Sequence, residues 1–154
     1  RLLAWALKGE TLELDKNNVR LMASGRIAGL PGAVQDQLAA SIKKLSKNTG
    51  LILNLALNYG SRSEIIDSVN SLIKEGAREV TEEMVSGRMY TAGLPDPDLV
   101  IRTSGEMRIS NFLLWQAAYA EFYVTPTFWP DFRKADLVLA LQEYQKRQRR
   151  FGGL

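Results

Sequence analysis

An α/β fold is predicted, with a mostly parallel central sheet and helices on both of its faces. Two observations carry the prediction. Short, nearly continuous apolar runs such as residues 51–57 (LILNLAL) and 99–101 (LVI) suit strands buried on both faces, the mark of parallel sheets. Between such runs lie longer stretches whose apolar residues recur at helical spacing, so strand and helix alternate along the chain. No internal repeat or low-complexity linker interrupts this order, and 154 residues predict a single domain over 1–154.

The elements follow in turn. Leu2, Leu3, Ala6 and Leu7 recur with helical period, yet no capping residue precedes them, so the sequence reads as starting inside a helix. This start, at Arg1 and without methionine, suggests the later part of a longer, N-terminally truncated chain. Residues 18–24 (NVRLMAS) form a strand candidate. Val34, Leu38, Ile42 and Leu45 mark a helix closed by Gly50. After the strand at 51–57, Ser61 and Glu64 have the spacing of a capping box, opening a helix through Ile65, Ile66, Val69, Leu72 and Ile73. Leu94-Pro95-Asp96-Pro97 forces a loop ahead of a strand at 98–102. Ser110 is placed to cap an apolar helix over 111–120, and a last strand falls within 121–129. A final helix over 134–150 carries Leu137, Leu141 and Tyr144 on one face.

Composition narrows the chemistry. The chain has no cysteine and no histidine. Disulfides, thiolate nucleophiles, serine–histidine–acid triads and histidine-held metals are therefore excluded within it. Carboxylates, arginine, lysine, tyrosine, hydroxyls, backbone amides and oxygen-bound metals remain, a set that favours phosphate chemistry over acyl transfer. Lys and Arg number 20 against 17 Asp and Glu, a net charge of +3. Much of the excess is Lys146, Arg147, Arg149 and Arg150, which suit a helix C-terminus followed by a glycine stop. With most aromatic residues in apolar surroundings, no nucleic-acid partner is expected. No stretch approaches the roughly 18 apolar residues of a membrane span, and no signal-peptide pattern opens the chain, so a cytoplasmic location is expected.

Three places can carry function. Residues 58–62 (NYGSR) join a strand to a helix and suit either an anion or a plain capped turn. The stronger junction is 102–110 (RTSGEMRIS), where Arg102 leaves a strand end and Arg108 and Ser110 follow. Two guanidinium groups and a helix N-terminus make a clamp for a diphosphate, since arginine gives paired, charge-assisted hydrogen bonds. Solvated arginines beside a helix cap are the plain alternative. Third, Glu121 lies among Ala117, Ala118, Tyr119, Ala120, Phe122, Tyr123 and Val124. A partly buried carboxylate there needs an arginine or a hard cation such as Mg²⁺. The aromatic residues of the last third belong to a core or, in part, to a subunit interface.

Taken together, the stretch from Pro97, PDLVIRTSGEMRISNFLLWQAAYAEFYVTPTFWPDF, supported by LALNYGSRSEI, resembles the cis-prenyltransferases, especially bacterial undecaprenyl diphosphate synthases. The resemblance runs along essentially the whole chain. It implies repeated cis-condensation of isopentenyl diphosphate onto an allylic primer such as farnesyl diphosphate. The product is a long-chain polyprenyl diphosphate for cell-wall lipid carriers, and the reaction needs Mg²⁺. By resemblance, Arg102, Arg108 and Ser110 hold the diphosphate of isopentenyl diphosphate, Glu121 binds Mg²⁺, and Arg150 and Gly152 match a C-terminal R-x-G element that can reach a neighbour's diphosphate site. A homodimer and peripheral membrane association on product release are implied as well. Two departures stand out. Ser104 replaces the third residue of the family's R-T-G-G, which is tolerated unless that position needs positive φ. The family's M-D-G-N-G-R-W motif, with its catalytic aspartate, and its F-S-T-E-N-W segment are absent from these residues. The chain thus carries the isopentenyl diphosphate half of a site, and alone it is expected to be inactive. The alternative is a non-catalytic partner subunit of a heteromeric enzyme.

Overall fold

The computed structural model describes residues 2–147, and the chain forms two compact units, Arg1–Ala92 and Gly93–Leu154. The first unit contains α1 (Leu2–Lys16), β1 (Arg20–Ser24), α2 (Gly32–Leu45), β2 (Ile52–Ala56), α3 (Ser61–Lys74) and the short α4 (Glu82–Ser86). β1 and β2 pair in parallel, Arg20 opposite Ile52 through Ser24 opposite Ala56. The intervening α2 is the crossover that a parallel pair requires. Leu7, Leu21, Leu38 and Leu45 form the core between α1, α2 and β1, with Ile42, Leu53 and Leu55 packed against it. Thr11 Oγ1 donates to Leu7 O at 2.5 Å and shares a hydrogen bond with Ser41 Oγ at 2.8 Å, so the contact of α1 with α2 includes a buried polar tie. The helix ends at Leu45 with Ser46 as its C-cap, ahead of the expected stop at Gly50.

The face of α3 differs from the predicted apolar stripe. Ser61, Glu64, Ser68 and Leu72 are its buried residues, whereas Ile66 and Ile73 are exposed. Small serines at helical spacing allow a close approach of neighbouring backbone, which the isoleucines would prevent. The capping box is also recast: Gly60 is the N-cap, without a side-chain cap, and Ser61 is already helical. Glu64 instead accepts hydrogen bonds from Tyr59 Oη (2.5 Å) and from the backbone N–H of Tyr90 (2.9 Å). These bonds draw the turn after β2 and the segment after α4 onto α3. Beside them Arg26 donates twice to Asp67, each at 2.9 Å, and Tyr90 Oη also bonds Asp67. Asp67 is held at a pKa of about 2 by the Arg26 hydrogen bonds first and the Tyr90 hydroxyl second.

The second unit contains β3 (Leu99–Arg102), β4 (Glu121–Val124) and α5 (Lys134–Gln145). Its strands are again parallel, Leu99 opposite Glu121 and Arg102 opposite Val124. The α/β class and parallel pairing are as the sequence predicts. The helix predicted over 111–120 does not form. Ser110, Asn111 and Leu113 have φ of 50°, 60° and 48°, and the segment is a series of turns closed mostly by i to i−3 bonds such as Phe112 N–H to Ile109 O (3.1 Å). Left-handed residues interrupt the helical ladder, so Ser110 caps no helix there. Arg133 N–H donates to Asp136 Oδ2 at 2.8 Å, fixing the start of α5. Tyr119, Phe128 and Trp129, aromatic residues expected in a core, are exposed. No helix among the described residues is long and apolar enough to cross a membrane.

Candidate functional site

The C-terminal ends of β3 and β4 open onto a cavity of about 430 Å³ within the second unit. Its polar lining includes Arg102, Arg108 and Glu106. Apolar walls come from Met107, Ile109, Phe112, Phe122 and Val124. Val100, Phe122 and Val124 share one face of the strand pair, because side chains alternate along a strand and residues in register point the same way. Arg102, the last residue of β3, therefore stands at the strand end next to this face.

Arg102 is the residue whose environment calls for a ligand. Its Nε is buried with no hydrogen-bond partner among the described residues. A buried guanidinium N–H without an acceptor costs about 1–3 kcal/mol, so such an atom signals an acceptor that arrives from outside. Arg108 lies on the rim, well exposed, and forms an ion pair with Glu106. The sequence reading missed Glu106, though an acid between two arginines of a proposed anion site was a visible signal. Ser110 is exposed and is not among the lining residues.

Backbone geometry concentrates strain here. Ser104 and Gly105 both have φ of 67°, and with Ser110, Asn111 and Leu113 they place five left-handed residues in ten. The first two are strapped to the chain beyond β4, Ser104 N–H to Thr127 O (2.9 Å) and Gly105 N–H to Thr125 O (2.8 Å). Such clusters occur where surrounding bonds hold a loop in a functional shape.

Glu121 is placed differently from the two arginines. It begins β4, level with Leu99 and three residues below the level of Arg102, and alternation turns it to the face opposite Phe122 and Val124. Its Oε2 accepts a 2.6 Å hydrogen bond from Arg147 Nη1. Of the two partners the sequence allowed it, an arginine is the one present. Mg²⁺ takes oxygen ligands in octahedral geometry, commonly one or two carboxylates with water and phosphate oxygens. Among the described residues no group of three acidic side chains forms a metal cluster. A single carboxylate, already neutralised and turned from the cavity, does not by itself fit the ion. Arg150 and Gly152 lie outside the described residues.

The junction at 58–62 is occupied by its own structure. Asn58 Nδ2 donates to Arg26 O at 2.9 Å, and Tyr59 bonds the buried Glu64. The plain turn is the reading that this geometry favours.

A sequence model of the undecaprenyl diphosphate synthase family matches residues 1–152. The chain belongs to this family. An isoprenyl transferase of Clostridium tetani is 48% identical over 99% of the chain and 62% of its own length. One from Brucella abortus is 48% identical over 99% of the chain and 63% of its own length. The chain thus spans a little over three-fifths of these curated relatives. Among solved structures, lavandulyl diphosphate synthase from Lavandula x intermedia, in complex with dimethylallyl diphosphate, superposes with a TM-score of 0.93 at 34% identity. It covers 99% of this chain, which spans 69% of it. A probable undecaprenyl diphosphate synthase from Campylobacter jejuni gives a TM-score of 0.89 at 34% identity, with 99% of this chain and 72% of that one covered. For the synthase family's R-T-G-G element, the φ of 67° at Ser104 means that serine sits where glycine carries no steric cost.

Proposed function

We propose that this chain carries the isopentenyl diphosphate half of a cis-prenyltransferase site and works in the sequential condensation that builds long-chain polyprenyl diphosphates. The observation that carries the reading is the Nε of Arg102, buried without a partner among the described residues, at the edge of a half-apolar cavity. A diphosphate supplies the missing acceptor, and the apolar wall shelters a five-carbon isoprenyl group. Arg108 exchanges the Glu106 carboxylate for a phosphate oxygen when the ligand arrives. Membership of the synthase family supports this substrate class, as does the dimethylallyl diphosphate held by the lavandulyl diphosphate synthase neighbour.

In the reaction, the isopentenyl double bond attacks the first carbon of the allylic partner. A carbon–carbon bond forms, the allylic carbon–oxygen bond breaks, pyrophosphate leaves with the electron pair, and a proton is lost from the isopentenyl carbon skeleton. The contribution of Arg102 and Arg108 is positional: they fix the diphosphate end of the nucleophile, so that its double bond is held for attack. A hard cation on the diphosphates would add charge stabilisation. No step here depends on it, since these residues do not build its site.

The exposed Tyr119, Phe128 and Trp129 support a homodimer, because aromatic residues are enriched at subunit interfaces. Sedimentation checks this directly. The substrate reading is tested by calorimetric titration of isopentenyl diphosphate into the chain and into Arg102→Gln and Arg108→Gln variants. The expected result is binding that weakens about tenfold in Arg102→Gln, the loss of a charge-assisted bond. Equal affinity in both variants and the parent would remove the basis of the reading.

A further inference from the structure

Met107 lines the cavity together with Ile109 and Phe112, yet it is 88% exposed. A residue with both properties stands at the mouth, where a bound isoprenyl group and open water are both within reach. Its neighbours in sequence, Glu106 and Arg108, are ion-paired with each other. Composition gives this thioether a chemical role. The chain has four methionines and no cysteine, so no thiol competes with them for an oxidant. Met89 is buried, Met22 is partly buried in β1, and Met84, on the short α4 of the first unit, is 36% exposed. Oxidation of a side-chain sulfur follows its exposure. Met107 is thus the methionine most open to water, and it belongs to the cavity wall.

We propose that Met107 is a peroxide-sensitive site, at which oxidation to the sulfoxide lowers the affinity of the cavity for an isoprenyl diphosphate. The sulfur lone pair attacks one oxygen of hydrogen peroxide. A sulfur–oxygen bond forms, the oxygen–oxygen bond breaks, and the second oxygen leaves with the electron pair. It becomes water by taking up the proton released from the transferred oxygen. Sulfur loses two electrons and the peroxide gains two. The product is a polar side chain in place of a flexible apolar one, and a sulfoxide reductase reverses the change. Where a thioether would pack against the five-carbon group, the sulfoxide presents a dipole that an alkyl chain cannot hydrogen-bond. Arg102 and Arg108 are chemically unaltered, so the loss falls on the isoprenyl end of the ligand and spares the diphosphate end. The inference rests on the diphosphate reading above, and the test separates the two.

In the experiment, the 154-residue chain is treated with dilute hydrogen peroxide, with and without isopentenyl diphosphate, and sulfoxide at each methionine is followed by peptide mass spectrometry. Isopentenyl diphosphate and inorganic diphosphate are then titrated calorimetrically into the untreated, oxidised and reductase-treated chain. The same titrations are made with Met107→Leu and Met84→Leu, before and after peroxide, and with untreated Arg102→Gln. Met107 is expected to oxidise first, and bound isopentenyl diphosphate to slow it. Its oxidation should weaken isopentenyl diphosphate about fourfold, the scale of one methylene-sized apolar contact, while inorganic diphosphate binds as before. Reductase treatment should restore the affinity. Met84→Leu should lose affinity on oxidation as the parent does, and Met107→Leu should bind equally before and after peroxide, whatever its starting value. Oxidation of Met84 ahead of Met107, unchanged isopentenyl diphosphate affinity once Met107 is oxidised, or an equal loss for both ligands overturns the proposal. If Arg102→Gln binds inorganic diphosphate as the parent does, the diphosphate reading falls. If Arg102→Gln binds it weakly and oxidation at Met107 changes nothing, the role of Met107 falls alone.

Discussion

Replacing Ser104 by glycine should stabilise the chain. Ser104 has φ of 67°, a region that costs an L-residue with a side chain roughly 1–2 kcal/mol and costs glycine nothing comparable. Glycine loses about 0.5–1 kcal/mol through the greater freedom of the unfolded chain. Taking the middle of each range, the net gain is about 0.75 kcal/mol, which for a chain of this size raises the melting temperature by roughly 1.5–3 °C. The bond that fixes the turn survives, because it runs from the backbone N–H of residue 104 to Thr127 O at 2.9 Å. Thermal denaturation followed by circular dichroism measures the shift. Gly105→Ala is the matched control: φ is also 67°, and an added Cβ would find its nearest neighbour, Pro126 Cα, at 4.0 Å, so conformation alone opposes it. It should lower stability by about 1 kcal/mol. If Ser104→Gly melts no higher than the parent, the strain argument for this loop is wrong.

Three further outcomes follow from particular residues. Arg102→Met removes a buried donor that has no acceptor among the described residues, so stability should hold or rise by up to about 1 kcal/mol while diphosphate binding falls about tenfold or more; urea melts and calorimetry read the two effects. Glu64→Ala should cost about 2–3 kcal/mol in urea unfolding, because the part-buried Tyr90 N–H and Tyr59 hydroxyl both lose an acceptor. The Arg26–Asp67–Tyr90 group adds a pH effect. Asp67 has a folded-state pKa of about 2 against 3.8 when unperturbed, so its stabilisation is present above pH 4 and is lost as pH falls towards 2. Asp67→Asn should therefore be less stable than the parent at pH 5 and lose less stability between pH 4 and pH 2, compared by urea melts at each pH.

What the sequence made legible followed from period and chemistry that are local. The strands at 20–24, 52–56, 99–102 and 121–124 announce themselves as short apolar runs, and Arg102 drew notice because arginine and glycine at a strand end are residue types that suit an anion. What it hid depended on other parts of the chain. Residues 111–120 have helical composition, yet the left-handed backbone at Ser110, Asn111 and Leu113 prevents the helix. The buried stripe of α3 is serine and glutamate because Tyr59 and Tyr90 bring the partners for Glu64, and no periodicity in α3 itself encodes that. Glu121 was read as a carboxylate wanting an arginine or a hard cation, and the arginine it meets lies 26 residues away in a basic run that by itself suggested only a helix end. Side-chain identity was readable; partner identity required the fold.

The ion pair between Glu106 and Arg108 bears on how quickly, and under what conditions, a ligand enters. Within the cavity lining two arginines face one glutamate, so the resting site presents a weaker field than two arginines alone would. On the proposed reading, an incoming diphosphate is steered less strongly from a distance and must exchange places with a carboxylate on Arg108. Added salt weakens the steering and the internal pair together, and the two effects oppose each other. Association at this site should therefore be slow for a double anion meeting arginines, and its rate nearly flat with ionic strength. The chain has placed its own acid where a competing anion would otherwise settle.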